Sequence, residues 1–304
     1  CHRKPKNTRF YAREGYVTVA LCWLVLAVIG ALPFVLSREI PFFIDALFET
    51  VSGFTTTGAT ILGDVEALSH ASMLWRCLTH WVGGMGVLVF MLIVLPLAGG
   101  QTIFLMRAES PGPSVSKMSP HMRDTATILY AIYFGLTVLQ MILLLIGGMP
   151  LFDAICVSLG TAGTGGFGNW NDSIAHYNSA YLQNVITVFM ILFGINFSAY
   201  FLILTRKFRQ AFRIEEIRVY LGVIFVFAGL IAFNVRPMFG SLRESFHHAL
   251  FQVASIITTT GFSTVDFDRW PTFSRALLVL LMFIGACAGS TGGGIKCSRI
   301  LLLG

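Results

Sequence analysis

Apolar residues are gathered along the chain into six long blocks, at residues 16–36, 74–97, 128–147, 181–205, 219–233 and 273–288. Most approach the ~20 residues a helix needs to cross the hydrocarbon core of a bilayer, so they predict membrane-spanning helices. Shorter apolar segments lie between the paired blocks, at residues 41–54, 150–161 and 246–257. About 12 helical residues rise only ~18 Å, too little for a core of ~30 Å. Each short segment is therefore expected to enter and leave the membrane on one side. Span, short helix and span recur three times, which divides the chain into 1–100, 101–210 and 211–304. The predicted fold class is an all-α integral membrane protein built from repeated units.

Charge sharpens this picture. Only 12% of residues are charged, against about 25% in soluble domains, which excludes a soluble globular protein. Basic residues crowd into a few stretches: Arg3, Lys4, Lys6, Arg9 and Arg13; Arg107, Lys117 and Arg123; Arg206, Lys207, Arg209, Arg213 and Arg218; and Lys296 with Arg299. The other loops hold scattered arginines such as Arg38, Arg76 and Arg236. The positive-inside rule places the rich stretches, and the N-terminus, in the cytoplasm. The net charge of +6 makes no continuous basic face with interleaved aromatics, so no nucleic-acid partner is expected; lipid is. The six cysteines form no CxxC pair and predict neither disulfide nor metal site. No nucleophile–base pair is evident, so no enzyme is expected. Cys1 opens directly into a basic stretch that reads as a cytoplasmic loop, which suggests a fragment.

Each short segment runs into a threonine- and glycine-rich stretch: Thr55-Thr56-Thr57-Gly58-Ala59-Thr60, Ala162-Gly163-Thr164-Gly165-Gly166-Phe167-Gly168 and Thr258-Thr259-Thr260-Gly261-Phe262-Ser263-Thr264. Non-helical backbone at membrane depth is tolerated where it is buried or lines a watery path. A half-helix directs the negative end of its dipole to its C-terminus. Carbonyls in the following stretch can replace the hydration shell of a cation. Glycine permits the dihedrals this needs and leaves no side chain in the passage. Gly58, Gly166 and Gly261 are the candidate filter glycines, with Thr56, Thr57, Thr164, Gly165, Thr259 and Thr260 supplying carbonyls. A single stretch of this kind would read as a flexible turn; the recurrence is what favours a filter.

The carboxylates carry two readings. Asp45 and Asp153 open two short helices, where the helix dipole favours them. Asp64, Glu66, Asp172, Asp266 and Asp268 follow the threonine–glycine stretches and either concentrate cations at a pore mouth or are ordinary solvated loop charges. Glu49 lies inside the first short helix, where bracing that helix is the simpler reading than ion binding. Gly163–Gly168 fits G-x-G-x-x-G but follows no buried strand and opens no amphipathic helix, and Gly289–Lys296 resembles a phosphate loop whose lysine falls one position late with no Ser/Thr directly after it. The adjacent pair His247 and His248 lacks the i,i+4 spacing of a shared metal.

Ser52-Gly53-Phe54-Thr55-Thr56-Thr57-Gly58-Ala59-Thr60, Ile257-Thr258-Thr259-Thr260-Gly261-Phe262 and Ala288-Gly289-Ser290-Thr291-Gly292-Gly293-Gly294-Ile295-Lys296 resemble the TrkH branch of the Trk/Ktr/HKT potassium transporters. So does Arg13-Glu14-Gly15-Tyr16 leading into Gly30-Ala31-Leu32-Pro33-Phe34. The resemblance implies a pseudo-fourfold pore with one filter glycine per unit, potassium as the ion bound there, and no other cofactor. It also implies a bacterial inner-membrane location, a homodimer, and a cytosolic nucleotide-binding ring docked on the basic loops. That family carries two further spans upstream and a fourth unit downstream, so this chain looks incomplete beside it. By the same resemblance Gly289, Ser290, Thr291, Gly292, Gly293 and Gly294 form an intramembrane gate; a helix kink for packing is the alternative. No separate half-helix precedes these residues, so they do not read as a fourth filter. The rival is a sodium-coupled secondary transporter with discontinuous helices, which predicts inverted repeats. The three units here run in one direction.

Overall fold

The computed structural model describes residues 12–86, 122–211 and 213–303. The basic residues Arg3, Lys4, Lys6, Arg9, Arg107 and Lys117, and the end of the second apolar block, lie outside the described residues. Long helices α1 (Ala12–Leu36), α4 (Met122–Ile146) and α8 (Glu215–Val235) contain windows long and apolar enough to cross a membrane. Only 22% to 33% of each window is buried inside the protein. Leu24, Ile29, Val226 and Phe233 are among the apolar residues left facing outward. Apolar faces this extensive suit a lipid surround and would be a liability in water.

The short helices α2 (Phe43–Phe54), α5 (Leu151–Ala162) and α9 (Leu242–Ile257) each pack between two or more neighbouring helices. α2 packs between α1 and α3 (His70–Gly84). α5 contacts α3, α4 and α6 (Ala180–Phe193), and α9 contacts α6, α8 and α10 (Thr272–Phe283). Serine caps fix several starts: Ser69, Ser179 and Ser241 accept from the backbone N–H of Ser72, Leu182 and Glu244. The apolar cluster with the most buried members among the described residues follows helical spacing. Tyr220, Ile224, Ala228, Ile231 and Val235 of α8 face Ala249, Val253 and Ile257 of α9, with Leu278 and Leu281 of α10 closing the cluster.

The structure corrects two sequence expectations. The block at 181–205 is not one straight span: α6 and α7 (Phe197–Leu204) meet at 93° across Gly194–Asn196. A side chain at Gly194 would overlap the Tyr220 hydroxyl, and Asn196 restarts the helix by accepting from Ser198 N–H. Arg76 is not a loop residue but lies buried within α3, where the Glu49 carboxylate neutralises it at 2.6 Å. The last block is interrupted as its glycines suggest. α10 stops at Phe283, residues 284–296 are non-helical apart from a bridge between Ile284 and Ile295, and α11 (Cys297–Leu303) follows.

Candidate functional site

α2, α5 and α9 end in turns of one backbone form. Thr56, Thr164 and Thr259 take left-handed φ values of 52°, 53° and 59°, and Gly58, Gly166 and Gly261, two residues on, take 77°, 78° and 86°. A left-handed threonine costs about 1–2 kcal/mol, so each must be held by its surroundings. Backbone bonds supply the hold: Thr57, Gly165 and Thr260 N–H donate to Ser52, Gly160 and Ser255 O at 2.9, 3.1 and 2.9 Å. In the first and third turns a serine hydroxyl adds a second tie, Ser52 to Ala59 O at 2.5 Å and Ser255 to Phe262 O at 2.6 Å. In the second turn Gly160 stands there instead, because a Cβ would come within 2.5 Å of the Phe167 oxygen.

The side chains bracing the turns also differ. Threonine hydroxyls pair at 2.8 Å in the first (Thr55, Thr57) and third (Thr258, Thr260) turns. The second has Gly163 and Gly165, and the space is filled by His80 from α3, stacked on Phe167 at 3.8 Å and accepting Phe167 N–H at 3.3 Å through Nδ1. His80 has no counterpart in the sequence expectations. It is a lone histidine in an apolar block, and only the fold brings it to the turn.

The turns meet. A methyl on Gly58 would overlap the Gly165 oxygen, and one on Gly166 would overlap the Thr260 oxygen. A cleft of about 230 Å³ is lined by Thr57, Gly58, Gly165, Gly166, Thr259, Thr260 and Gly261 with Ser255, Ile256 and Met282. Two of the predicted carbonyl donors, Thr56 and Thr164, lie off this lining. Thr164 is fully buried and donates its hydroxyl to Thr291 O at 2.9 Å.

The glycine-rich loop hangs from these same threonines. Besides the Thr164 bond, Gly293 N–H donates to Thr259 Oγ1 at 2.8 Å. The loop is laced into the break between α6 and α7: Cys287 N–H to Gly194 O at 3.0 Å, Phe197 N–H to Gly289 O at 3.0 Å, and Thr291 Oγ1 to Phe193 O at 3.2 Å. Ser290 Oγ closes a local turn on Cys287 O at 2.7 Å, the Lys296 ammonium donates to Gly292 O, and Gly289 and Gly294 are left-handed. Glu216, in the first turn of α8, holds both ends. Its Oε1 accepts from Ala288 N–H at 2.7 Å and from Ser298 N–H at 3.0 Å. Sequence reasoning missed Glu216, since an acid in a first helical turn reads as a dipole partner.

The other carboxylates act as braces. Glu49 accepts from Thr60 Oγ1 and Ile61 N–H, each at 3.0 Å, besides Arg76. Asp153 accepts from Asn169 at 2.7 Å, Trp170 at 3.2 Å and Tyr177 at 2.7 Å, tying the start of α5 to the segment after its turn. His248 bonds Thr264 at 2.9 Å at the corresponding place in α9, while His247 reaches Gln183 and Asn184. Asp64 accepts the Asn171 amide at 2.7 Å, and that amide, then the Glu66 N–H, holds its carboxyl below the ordinary range. Glu66 accepts Asn171 N–H, and Asp266 pairs with Arg269 at 3.0 Å. Asp153→Asn removes the charge from three hydrogen bonds, each worth about 1.5–3 kcal/mol when charged. Its thermal midpoint in detergent should fall clearly, and that of Tyr177→Phe, which deletes one donor, by less.

The TrkH family model, described as a cation transport protein, matches residues 1–303. The Trk system potassium uptake protein TrkH of Escherichia coli (strain K12) is 40% identical over 307 residues, covering 99% of this chain and 63% of that protein. TrkG of the same organism, also a Trk system potassium uptake protein, is 36% identical over 304 residues. The crystal structure of the potassium transporter TrkH from Vibrio parahaemolyticus matches with a TM-score of 0.84 at 33% identity, over 99% of this chain and 62% of that one. The chain thus spans less than two thirds of the length of these relatives, and along its own length it belongs to the TrkH family of cation transport proteins.

Proposed function

We propose that this chain builds most of a potassium-uptake pore in the bacterial inner membrane, with its N-terminus in the cytoplasm. The single observation that carries the reading is the meeting of three glycine turns around one cleft, each turn at the C-terminal end of a short helix. Units 1–100, 101–210 and 211–304 are arranged as sides of a pseudo-fourfold pore. Carbonyls at Thr57, Gly58, Gly165, Gly166, Thr259, Thr260 and Gly261 exchange with the hydration shell of potassium, which moves down its electrochemical gradient, while Thr56 and Thr164 shape the turns behind them. The helix dipoles of α2, α5 and α9 turn their negative ends toward the ion. Gly289 to Gly294 form the gate, held by Glu216 and by the threonines of the second and third turns. The assembled protein is a homodimer whose basic inner loops, Arg206 to Arg218, receive a cytosolic nucleotide-binding ring. The Trk relatives are potassium uptake proteins, which supports the choice of ion.

The test is radioactive rubidium uptake into proteoliposomes holding the full-length gene product, competed with potassium or sodium. Competition by potassium and not by equal sodium is the expected result. Uptake of an organic solute that requires sodium would replace the pore with a secondary transporter.

A further inference from the structure

The Glu49–Arg76 pair is unusual beside the two other short helices. Nine residues before the turn glycine, where the first helix has Glu49, the second has Val157 and the third Gln252. Seven residues after the helix N-cap, where α3 has Arg76, α6 has Ile186 and α10 has Leu278, both buried in apolar clusters. An apolar pair, Val157 and Ile186, therefore suffices in the second unit, and the third sets a neutral Gln252 beside its apolar Leu278. A buried ion pair gains little net stability over a well-packed apolar pair, because desolvation offsets the attraction. What the pair supplies is fixed geometry. Arg76 Nε holds Glu49 at 2.6 Å, Nη1 donates to Gly168 O at 3.3 Å, and the guanidinium plane lies 3.6 Å over the Phe167 ring. Glu49 in turn holds Thr60 and Ile61. The chain of contacts runs from the segment just past Gly58 to the segment just past Gly166, across the seam between the first two turns.

We propose that Arg76 is a specificity-determining positioning residue. Through Glu49 it fixes the separation of the first and second turns and so keeps their carbonyls from closing on a cation smaller than potassium. This inference rests on the pore reading above. The planar, three-way contact is one that lysine cannot reproduce, so charge alone does not preserve it. With the brace loosened, the turns can approach one another, the energetic difference between large and small ions shrinks, and discrimination falls.

The test compares rubidium and sodium uptake by the full-length gene product in proteoliposomes, for wild type, Arg76→Lys, Thr60→Val and the neutral double variant Glu49→Gln/Arg76→Gln. Arg76→Lys and the double variant should lower the rubidium-to-sodium ratio by about tenfold with uptake retained, and Thr60→Val by less. Thr60 is exposed, so its variant keeps the test open should the buried substitutions fail to fold. A purely structural role would lower total uptake in all three and leave the ratio unchanged. An unchanged ratio in Thr60→Val and in whichever buried variants insert would overturn the inference while leaving the pore intact. A wild type that takes up neither ion would remove the pore reading itself.

Discussion

Gly58→Ser and Gly166→Ser are expected to lower the preference for rubidium over sodium by at least about tenfold each, measured as uptake by the full-length gene product in proteoliposomes. Two independent effects act at each position. The left-handed φ values of 77° and 78° strain any L-residue by about 1–2 kcal/mol. The added Cβ also overlaps the carbonyl oxygen of the neighbouring turn, Gly165 in one case and Thr260 in the other. Those oxygens are backbone, so the clash cannot be relieved by rotating a side chain, and the turns must move apart. Gly148 provides the control. Its φ of 84° is equally left-handed, but nothing lies within 4 Å of an added Cβ. Gly148→Ser should lose a little thermal stability and keep its ion preference. Equal loss of preference in all three variants would mean that general backbone strain, not contact between turns, is responsible.

The second large effect is expected at Glu216. One carboxylate oxygen accepts from Ala288 and Ser298, which bracket the glycine-rich loop. Glu216→Ala leaves the buried Ala288 N–H without its partner, at about 1–3 kcal/mol, strips the half-buried Ser298 N–H as well, and removes both ties from the loop to this carboxylate. If the loop obstructs the pathway, its release raises the initial rate of rubidium uptake several-fold without changing ion preference. Glu216→Gln retains an acceptor and should fall between alanine and wild type. The exposed neighbour supplies the comparison: Glu215→Gln should take up rubidium at the wild-type rate. Slower uptake in Glu216→Ala, with the protein still folded, would instead make the loop a support for the turns. The Gly293–Thr259 and Thr164–Thr291 bonds make that alternative measurable in the same assay.

Much of this was legible from the chain. Short apolar segments followed by Thr-Thr-Thr-Gly announce a helix that must stop and a backbone that must turn left-handed, and α2 and α9 do both. The second turn was harder, because its threonine pair is replaced by Gly163 and Gly165 and its brace, His80, comes from a helix in the preceding part of the chain. The bend at Gly194 was hidden for a related reason. A lone glycine in an apolar run is usually tolerated in a helix, and here the close approach of Tyr220, a residue of another helix, bars a larger residue. Arg76 and Glu216 were misplaced or missed because hydropathy records their charge but not their partners. A buried charge is intelligible only when the group that neutralises or bonds it is known.

The most direct test of the pore is a crystal structure of the full-length protein grown with thallium or rubidium, read by anomalous scattering. An anomalous peak in the cleft bounded by Thr57, Gly58, Gly165, Gly166, Thr260 and Gly261 is the predicted result. Peaks confined to the outer carboxylates Asp64, Glu66 and Asp266, with the cleft empty at ion concentrations that support uptake, would contradict it.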